Sequence, residues 1–557
     1  MPAVAADVAG RPAAAAPSPW LVVTALVGLA VVARAVAVSQ VTAIPTVDSA
    51  YYVEVAGRLA AGQGLTADVL WTYASPPLTL PQAAFALWMP LASLLAAIPM
   101  VLTGSTSLLA AQLAMIVVGA ALAPLAWSVA DGAAAANGLS GRRRATVALG
   151  SGVVAALFGP FLVAVSGPDS SVPFAVLAVA ACWAMPRALD AASGRRWGVA
   201  LGALLGLAYL ARQEAVWLGL TYLLLLVPEV RRRAPGERAA WLGRTLVPVV
   251  VTGAIVVAPW LVRQALVFGS PFPGQAIENL WFTRNADVFA FTQPPTLAAF
   301  LAQGPLVIAA HILAGLWHQL VDVLLLPTLP VGLFGLLGLA WAWRTPALRT
   351  ATALRALTVA GILTFLATGL LFPVATLAGT FLHSAGPALV ALVVIAALAT
   401  DRLVAAVGAW RRWDKQNAWL APLVTLALAL PVSGLEIWLT GSFAASQAAR
   451  EAAAATALAS QVPAQPDGGS AIVISDEPIG FSLGTGRPTL ILPDEAPADV
   501  LQLARRFGAR AVLLFGEVAR SAPGFDGAAC FTPGTLPEAA GTHARLYLID
   551  RTAACVP

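Results

Sequence analysis

Residues 20–38 read WLVVTALVGLAVVARAVAV, and just beyond them comes Asp48-Ser49-Ala50-Tyr51-Tyr52-Val53-Glu54-Val55-Ala56. At 1.5 Å per residue, a helix of about 19 apolar residues spans close to the ~30 Å of a bilayer's hydrocarbon core. The first stretch therefore reads as a membrane anchor, and the second as its exit onto the membrane surface. Ionisable groups held at a membrane are costly unless they are paired or used, so Asp48, Tyr52 and Glu54 are candidate site residues. A plainer reading has Asp48 capping a short helix that begins at Ser49, with Glu54 on its wet face.

Composition extends that reading to the whole chain. Of 557 residues, 59% are hydrophobic and 11% charged, with a mean hydropathy of +0.82. An ordinary soluble domain carries about 25% charged residues. The chain is expected to be a polytopic membrane protein with membrane lipids as its solvent. Its net charge of +5 does not point to nucleic acid, because the arginines cluster in short loops between apolar runs. Of the 32 basic residues only Lys415 is lysine.

Positive residues favour cytoplasmic loops. Arg142-Arg143-Arg144, Arg195-Arg196, Arg231-Arg232-Arg233, Arg344 with Arg349, and Arg411-Arg412 with Lys415 are thus assigned to the cytoplasm. The apolar runs are Trp20 to Val38, Leu108 to Ala130, Ala145 to Ser166, Val172 to Met185, Trp197 to Ala211 and Ala215 to Val227. They continue with Thr245 to Phe268, Pro327 to Trp343, Leu354 to Phe372, Ser384 to Thr400 and Trp419 to Thr440. Leu87 to Thr103, interrupted by Pro90 and Pro99, is near the lower limit for a span. If it crossed, every later loop would invert, so it is expected to lie on the outer face. Thr296 to Leu326 is read as an outer-face or re-entrant element. The expected fold is an all-α polytopic membrane domain of about 11 transmembrane helices plus outer-face juxtamembrane helices, then a small extracytoplasmic α/β domain. The N-terminus is expected in the cytoplasm.

The domains follow: an Ala/Pro-rich disordered cytoplasmic tail at 1–19, the membrane domain at 20–440, and the C-terminal domain at 441–557. Ala35-Val36-Ala37 has the small-x-small form of a signal-peptide cleavage site, but the length of the first run favours a retained anchor. Residues 441–464 are Ala-rich and expected to be helical. Beyond them, Ala471–Ile474, Thr489–Leu492, Ala511–Phe515 and Arg545–Ile549 read as strands, and Ala498–Phe507 as a helix stopped by Gly508. Gly484-Thr485-Gly486 lacks the rest of a phosphate loop and reads as a turn. Cys182 lies mid-membrane. Cys530 and Cys555 share the exported domain, where a disulfide is chemically allowed.

Further polar residues collect on the outer face: Asp169 in Ser166-Gly167-Pro168-Asp169-Ser170, Arg212-Gln213-Glu214 between two spans, Arg34 and Arg263 near helix ends, and His383 at the start of a span. Each has a bland alternative. Arg34 and Arg263 can snorkel to headgroups, Arg212 can pair with Glu214, and His383 can cap a helix. Two separated acids plus several arginines on one face nonetheless suit phosphate binding with acid/base work, since arginine offers a planar fork for phosphate.

The order of these motifs carries a resemblance. A first span, Asp48-x-x-x-Tyr52-x-Glu54, the stretch Pro76-Pro77-Leu78, a surface helix ending in Gly104, a basic cytoplasmic loop and a second Asp at an outer turn follow in sequence. With Ala258-Pro259-Trp260-Leu261-Val262-Arg263 and Phe268-Gly269-Ser270-Pro271, this resembles the GT-C glycosyltransferases, in the branch of protein O-mannosyltransferases and lipid A aminoarabinose transferases. The likeness covers roughly residues 20–400. It implies a polyprenyl-phosphate sugar donor, a glycan, lipid or protein acceptor, and transfer outside the cytoplasm at the cell membrane. Asp48 would match the family's first-loop catalytic Asp and Asp169 its second acid, with Tyr52, Glu54, Arg34, Arg212, Glu214, Arg263 and His383 around the substrate.

Departures are visible. Many members carry Asp-Glu at the first site, whereas Ser49 follows Asp48. No acidic residue directly precedes Pro76-Pro77, where some members place a metal ligand. The resemblance names no certain cofactor and leaves room for a divalent ion, with His311, His318, His383 and Asp68 as candidate ligands. No Cys/His cluster has zinc spacing. Two other classes remain: a transporter or flippase of a lipid-linked or polar substrate, which would place charges near the midplane in repeated halves, and a non-catalytic scaffold.

Overall fold

The structure is a computed structural model, and it describes residues 18–190, 194–274, 277–413, 420–462, 470–516 and 522–555. The N-terminal tail to residue 17, Lys415 and Trp419 lie outside the described residues. Among the described residues nine helices are long and apolar enough to cross a membrane. Eight of them coincide with runs read from the sequence. The ninth, Pro305–Val323, was expected to lie on the outer face or re-enter. The runs at Gly194–Ala211, Ala215–Arg231 and Val331–Ala342 are helical, but they fall below that threshold of length and hydropathy. Leu91–Thr103 is a short apolar helix that carries Pro99 and stops at left-handed Gly104 (φ 65°).

The shorter helices stay in the bundle through close packing. Gly198, Gly202 and Gly206 form one face of Gly194–Ala211 against the long helix Arg238–Phe268. A Cβ on Gly202 would lie 2.4 Å from the Val249 carbonyl oxygen, and one on Gly206 2.8 Å from Val256 Cβ. Small residues four apart let helix backbones approach where lipid supplies no hydrophobic drive.

The bundle has two distinct ends. Helix Gly141–Leu157 continues, after a break at Phe158, into Gly159–Ser166. Its start is tied down by ion pairs of Arg144 with Asp131 and Arg143 with Asp401. Its finish leads to Asp169. Helix Gly386–Trp410 runs the opposite way, from the neighbourhood of His383 to Asp401.

The C-terminal domain is α/β, as expected, but its sheet is not made by that domain alone. The strands are β1 (Thr66–Ala67), β2 (Val69–Leu70), β3 (Gln82–Ala83), β4 (Val473–Ser475), β5 (Thr489–Ile491), β6 (Ala511–Leu514), β7 (Phe531–Pro533) and β8 (Arg545–Ile549). Six of them form one sheet in the order β2-β5-β4-β6-β8-β7, and β2 comes from the loop after the first span. β2 pairs parallel with β5, Val69 opposite Thr489 and Leu70 opposite Leu490. An edge strand leaves backbone groups unpaired, and here the first loop covers them. The Tyr73 hydroxyl donates to the Ile491 carbonyl, and Leu70 packs with Ile474 and Leu490. Glu495 accepts from the backbone N–H groups of Phe291 and Thr292.

Helix Leu420–Gln461 carries the chain from the bundle into this domain. Helix Pro497–Phe507 stops at left-handed Gly508, and Gly486 ends helix Pro478–Thr485 as a C-cap. Cys530 and Cys555 are disulfide-bonded, their Cα atoms 5.0 Å apart, and Cys182 is a buried free thiol.

Candidate active site

Asp48 sits in the first turn of helix Val47–Ala60, and it is not the cap. Thr46 caps that helix, its Oγ1 accepting from Ser49 N at 3.2 Å. Asp48 is thus a first-turn carboxylate at the positive end of the helix, free to face outward from the backbone. Asp169 lies in the turn between Gly159–Ser166 and Ser171–Ala188, where Oδ1 accepts from Ser171 N at 2.7 Å. The two loops meet because nothing bulky separates them. A Cβ on Gly167 would lie 2.8 Å from Ser49 Oγ. Gln112 fastens both from behind, its Nε2 donating to Val41 O (3.0 Å) and Ser166 O (2.8 Å).

His383 enters from the short helix Thr380–Ser384. Nε2 lies 3.4 Å from Asp48 Oδ2 and Nδ1 3.3 Å from Asp169 Oδ2, with Ser171 Oγ 2.7 Å from Nδ1. Gly379 before it has φ 110°, and a Cβ there would lie 3.0 Å from His383 Nε2. Arg212, just past helix Gly194–Ala211, donates from Nη1 to Ser170 Oγ (2.8 Å) and from Nη2 to Glu214 Oε1 (2.6 Å). Its Nε is buried with no partner among the described residues.

Burial lifts the Asp48 carboxyl above the ordinary range; His383 and Arg212 pull the other way and Asp169 adds to the rise. For His383, burial opposes the charge, but the hydrogen bond and charge of Asp169 and the charge of Asp48 outweigh it, so the ring holds its proton above the usual histidine range. A base works best when its pKa lies near the working pH, and burial moves Asp48 in that direction.

Asp48, Tyr52, Arg212, Glu214 and His383 line one cavity of about 610 Å³. Its walls include Tyr209, Val216, Trp217 and Phe372 from the helix ends, Trp71 and Trp88, and Asp476 and Glu477 of the C-terminal domain. Asp169 reaches this group through His383.

Three other residues singled out from sequence are elsewhere. Arg34 is fully buried between helices, donating to Ala30 O (3.2 Å) and Ala156 O (3.3 Å), so it neither snorkels nor lines the cavity. Ala156 is the residue whose carbonyl Pro160 leaves without an i+4 donor. Arg263 donates to Ala84 O (2.8 Å) and to Gln264 Oε1, bracing the first loop. Glu54 accepts from Asp68 N at 2.6 Å; burial raises its carboxyl to about 7.

Sequence reasoning overlooked Ser170 and Ser171, which orient Arg212 and His383, and the cavity wall at Asp476-Glu477. The latter pair follows strand β4, and in α/β sheets ligands gather at the carboxyl ends of strands. That signal was available.

The candidate metal ligands do not assemble. Asp68 pairs with Arg58 and His318 with Asp322 (2.8 Å). Among the described residues no group of three or more His, Cys, Asp or Glu is arranged to hold a metal ion. His383 itself stands between Asp48 and Asp169, within 3.4 Å of a carboxylate oxygen of each.

Compared with known proteins, residues 89–262 match the family described as dolichyl-phosphate-mannose-protein mannosyltransferase. No curated protein matches the chain by sequence. Among solved structures, apo ArnT from Cupriavidus metallidurans aligns over 96% of this chain and 98% of its own, with a TM-score of 0.55 and 14% identity. The same protein bound to undecaprenyl phosphate aligns over the same shares, with a TM-score of 0.53 and 16% identity. The apo oligosaccharyltransferase of Archaeoglobus fulgidus covers 89% of this chain and 69% of its own, with a TM-score of 0.54 and 14% identity. Likeness at such identity speaks to architecture, and the architecture of this chain is the one seen in ArnT and in the archaeal oligosaccharyltransferase.

Proposed function

We propose that this protein transfers a sugar from a polyprenyl-phosphate-linked donor to a glycan, lipid or protein acceptor at the extracytoplasmic face of the cell membrane. The observation that carries the reading is the shared cavity: a half-buried carboxylate, Asp48, and a half-buried guanidinium, Arg212, face the same space at the helix ends. Support comes also from the relatives. The Cupriavidus ArnT structure holds undecaprenyl phosphate, and the archaeal AglB structure holds a dolichol-phosphate with an inhibitory peptide.

In this reading the acceptor hydroxyl oxygen attacks the anomeric carbon, and its proton passes to the Asp48 carboxylate. The bond from anomeric carbon to phosphate oxygen breaks, and its electron pair leaves with the polyprenyl phosphate. Arg212 meets the charge that develops there. Glu214 takes half of the guanidinium fork and fixes its plane. The apolar lining at Val216 and Trp217 would take the start of the lipid tail. In this reading the C-terminal domain, which reaches the cavity through Asp476 and Glu477, receives the acceptor. The N-terminus is cytoplasmic and the C-terminal domain outside, with the arginine-rich ends of the bundle inward.

The test is release of polyprenyl phosphate by purified protein given a lipid extract containing the host's polyprenyl-phosphate sugars. Acceptor-dependent release is expected. Movement of lipid-linked substrate across proteoliposomes with no release would identify a transporter instead. Reporter fusions after Arg233 should report cytoplasm and after Gly104 the exterior; an exterior signal at Arg233 would invert the topology.

A further inference from the structure

His383 stands between two carboxylates and is brought there by a third element. Both ring nitrogens face carboxylate oxygens, Nε2 toward Asp48 at 3.4 Å and Nδ1 toward Asp169 at 3.3 Å. A carboxylate only accepts hydrogen bonds. A ring with a carboxylate near each nitrogen is in surroundings that favour its protonated, positively charged form. The ring is also held in rotation: Ser171 Oγ lies 2.7 Å from Nδ1, while the Ser171 N–H fixes Asp169. Gly379 packs against the Nε2 edge, where a Cβ would lie at 3.0 Å. The other cation beside the pair, Arg212, is engaged by Ser170 and Glu214.

From this geometry we infer that His383 is the site's built-in cation: it stands between Asp48 and Asp169 and offsets their charge, and the protein works without bound metal. The ring's role is to position Asp48 against the repulsion of Asp169. The catalytic consequence rests on the proposed glycosyl transfer, whereas the metal prediction does not.

The experiment uses full-length protein in detergent, stripped with EDTA and titrated with Mn²⁺, free Mn²⁺ being read by paramagnetic resonance. Wild type should show no tight site. His383→Ala, which leaves two facing carboxylates, should bind one Mn²⁺ roughly tenfold or more tightly than wild type, since a cation within ~4–6 Å shifts a carboxylate by one to three pKa units. His383→Gln keeps the shape without the charge and serves if the alanine variant does not fold; it too should gain affinity. The added site should vanish in Asp48→Asn/His383→Ala. One tight Mn²⁺ in wild type that either variant loses would make His383 a metal ligand and overturn the inference, as would equal binding by all three. Wild-type polyprenyl phosphate release should persist in EDTA. Release that stops in EDTA and returns with Mn²⁺ overturns the inference, while absence of release under every condition counts against the proposed function and leaves the Mn²⁺ order readable.

Discussion

Replacing Asp48 with Asn removes one charge and leaves the helix that carries it intact. Thr46 is the cap, so the hydrogen bond to Ser49 N remains. The folded Asp48 carboxyl has a pKa above its unfolded value of 3.8, mainly through burial. The folded state therefore binds the proton more tightly, and this group's contribution to stability falls as pH rises through that raised pKa. At neutral pH the charged form is a cost that Asn relieves. Against this stand the lost attraction to His383 and a helix-terminus interaction of about 0.3–1 kcal/mol. The terms nearly cancel, and the melting temperature should move little. The rate should fall roughly 10²- to 10⁴-fold, which is about 2.7–5.5 kcal/mol of barrier at 1.36 kcal/mol per factor of ten. Purified Asp48→Asn is assayed for polyprenyl phosphate release beside Thr46→Ala, which should lose about 1 kcal/mol of stability and keep its turnover. Wild-type release should also rise with pH through the raised Asp48 pKa, a dependence the variant lacks. Turnover near wild type in Asp48→Asn would refute the base assignment.

Other consequences can be measured directly. Arg212→Gln removes a charge-assisted hydrogen-bond donor worth about 1.5–3 kcal/mol, so undecaprenyl phosphate binding should weaken roughly ten- to hundredfold in thermophoresis; unchanged affinity removes Arg212 from the phosphate. Glu54, raised from 4.5 to about 7 by burial, keeps its proton to higher pH in the fold than in the unfolded chain, so its contribution to stability is lost as pH rises between those values. Glu54→Gln should gain up to about 3 kcal/mol at pH 8 and little at pH 4.5, a difference that melts at the two pH values would show. Gly202→Val drives a side chain into the Val249 carbonyl and should cost about 1–3 kcal/mol. Gly28→Val, whose Cβ meets nothing within 4 Å, should melt like wild type.

Much of the fold was legible because bilayer physics is local. Eight of the helices that meet the span criterion, the short helix Leu91–Thr103, and four of the strands in the main sheet appear as runs of hydropathy bounded by Gly, Pro or Arg. The helix Pro305–Val323, read from the sequence as an outer-face or re-entrant element, opens on Pro305, which is tolerated at a helix start. Arg34 and Arg263 looked alike in sequence, each a lone arginine in an apolar helix. Their partners are the carbonyls of Ala156 and Ala84, exposed by a proline break and by a loop far along the chain.

The sequence by itself determined the solvent this chain needs, the lengths of its helices, and which carboxylates stand at their ends. Those properties follow from the transfer energy of each short window and need no knowledge of the rest. Only the tertiary structure decided which charges meet. Ser171 and His383 are 212 residues apart and hydrogen-bonded, and β2 completes a sheet whose other strands begin some four hundred residues later. Pairings at that distance depend on how helices pack and which sheet edge stays open, which no local pattern records.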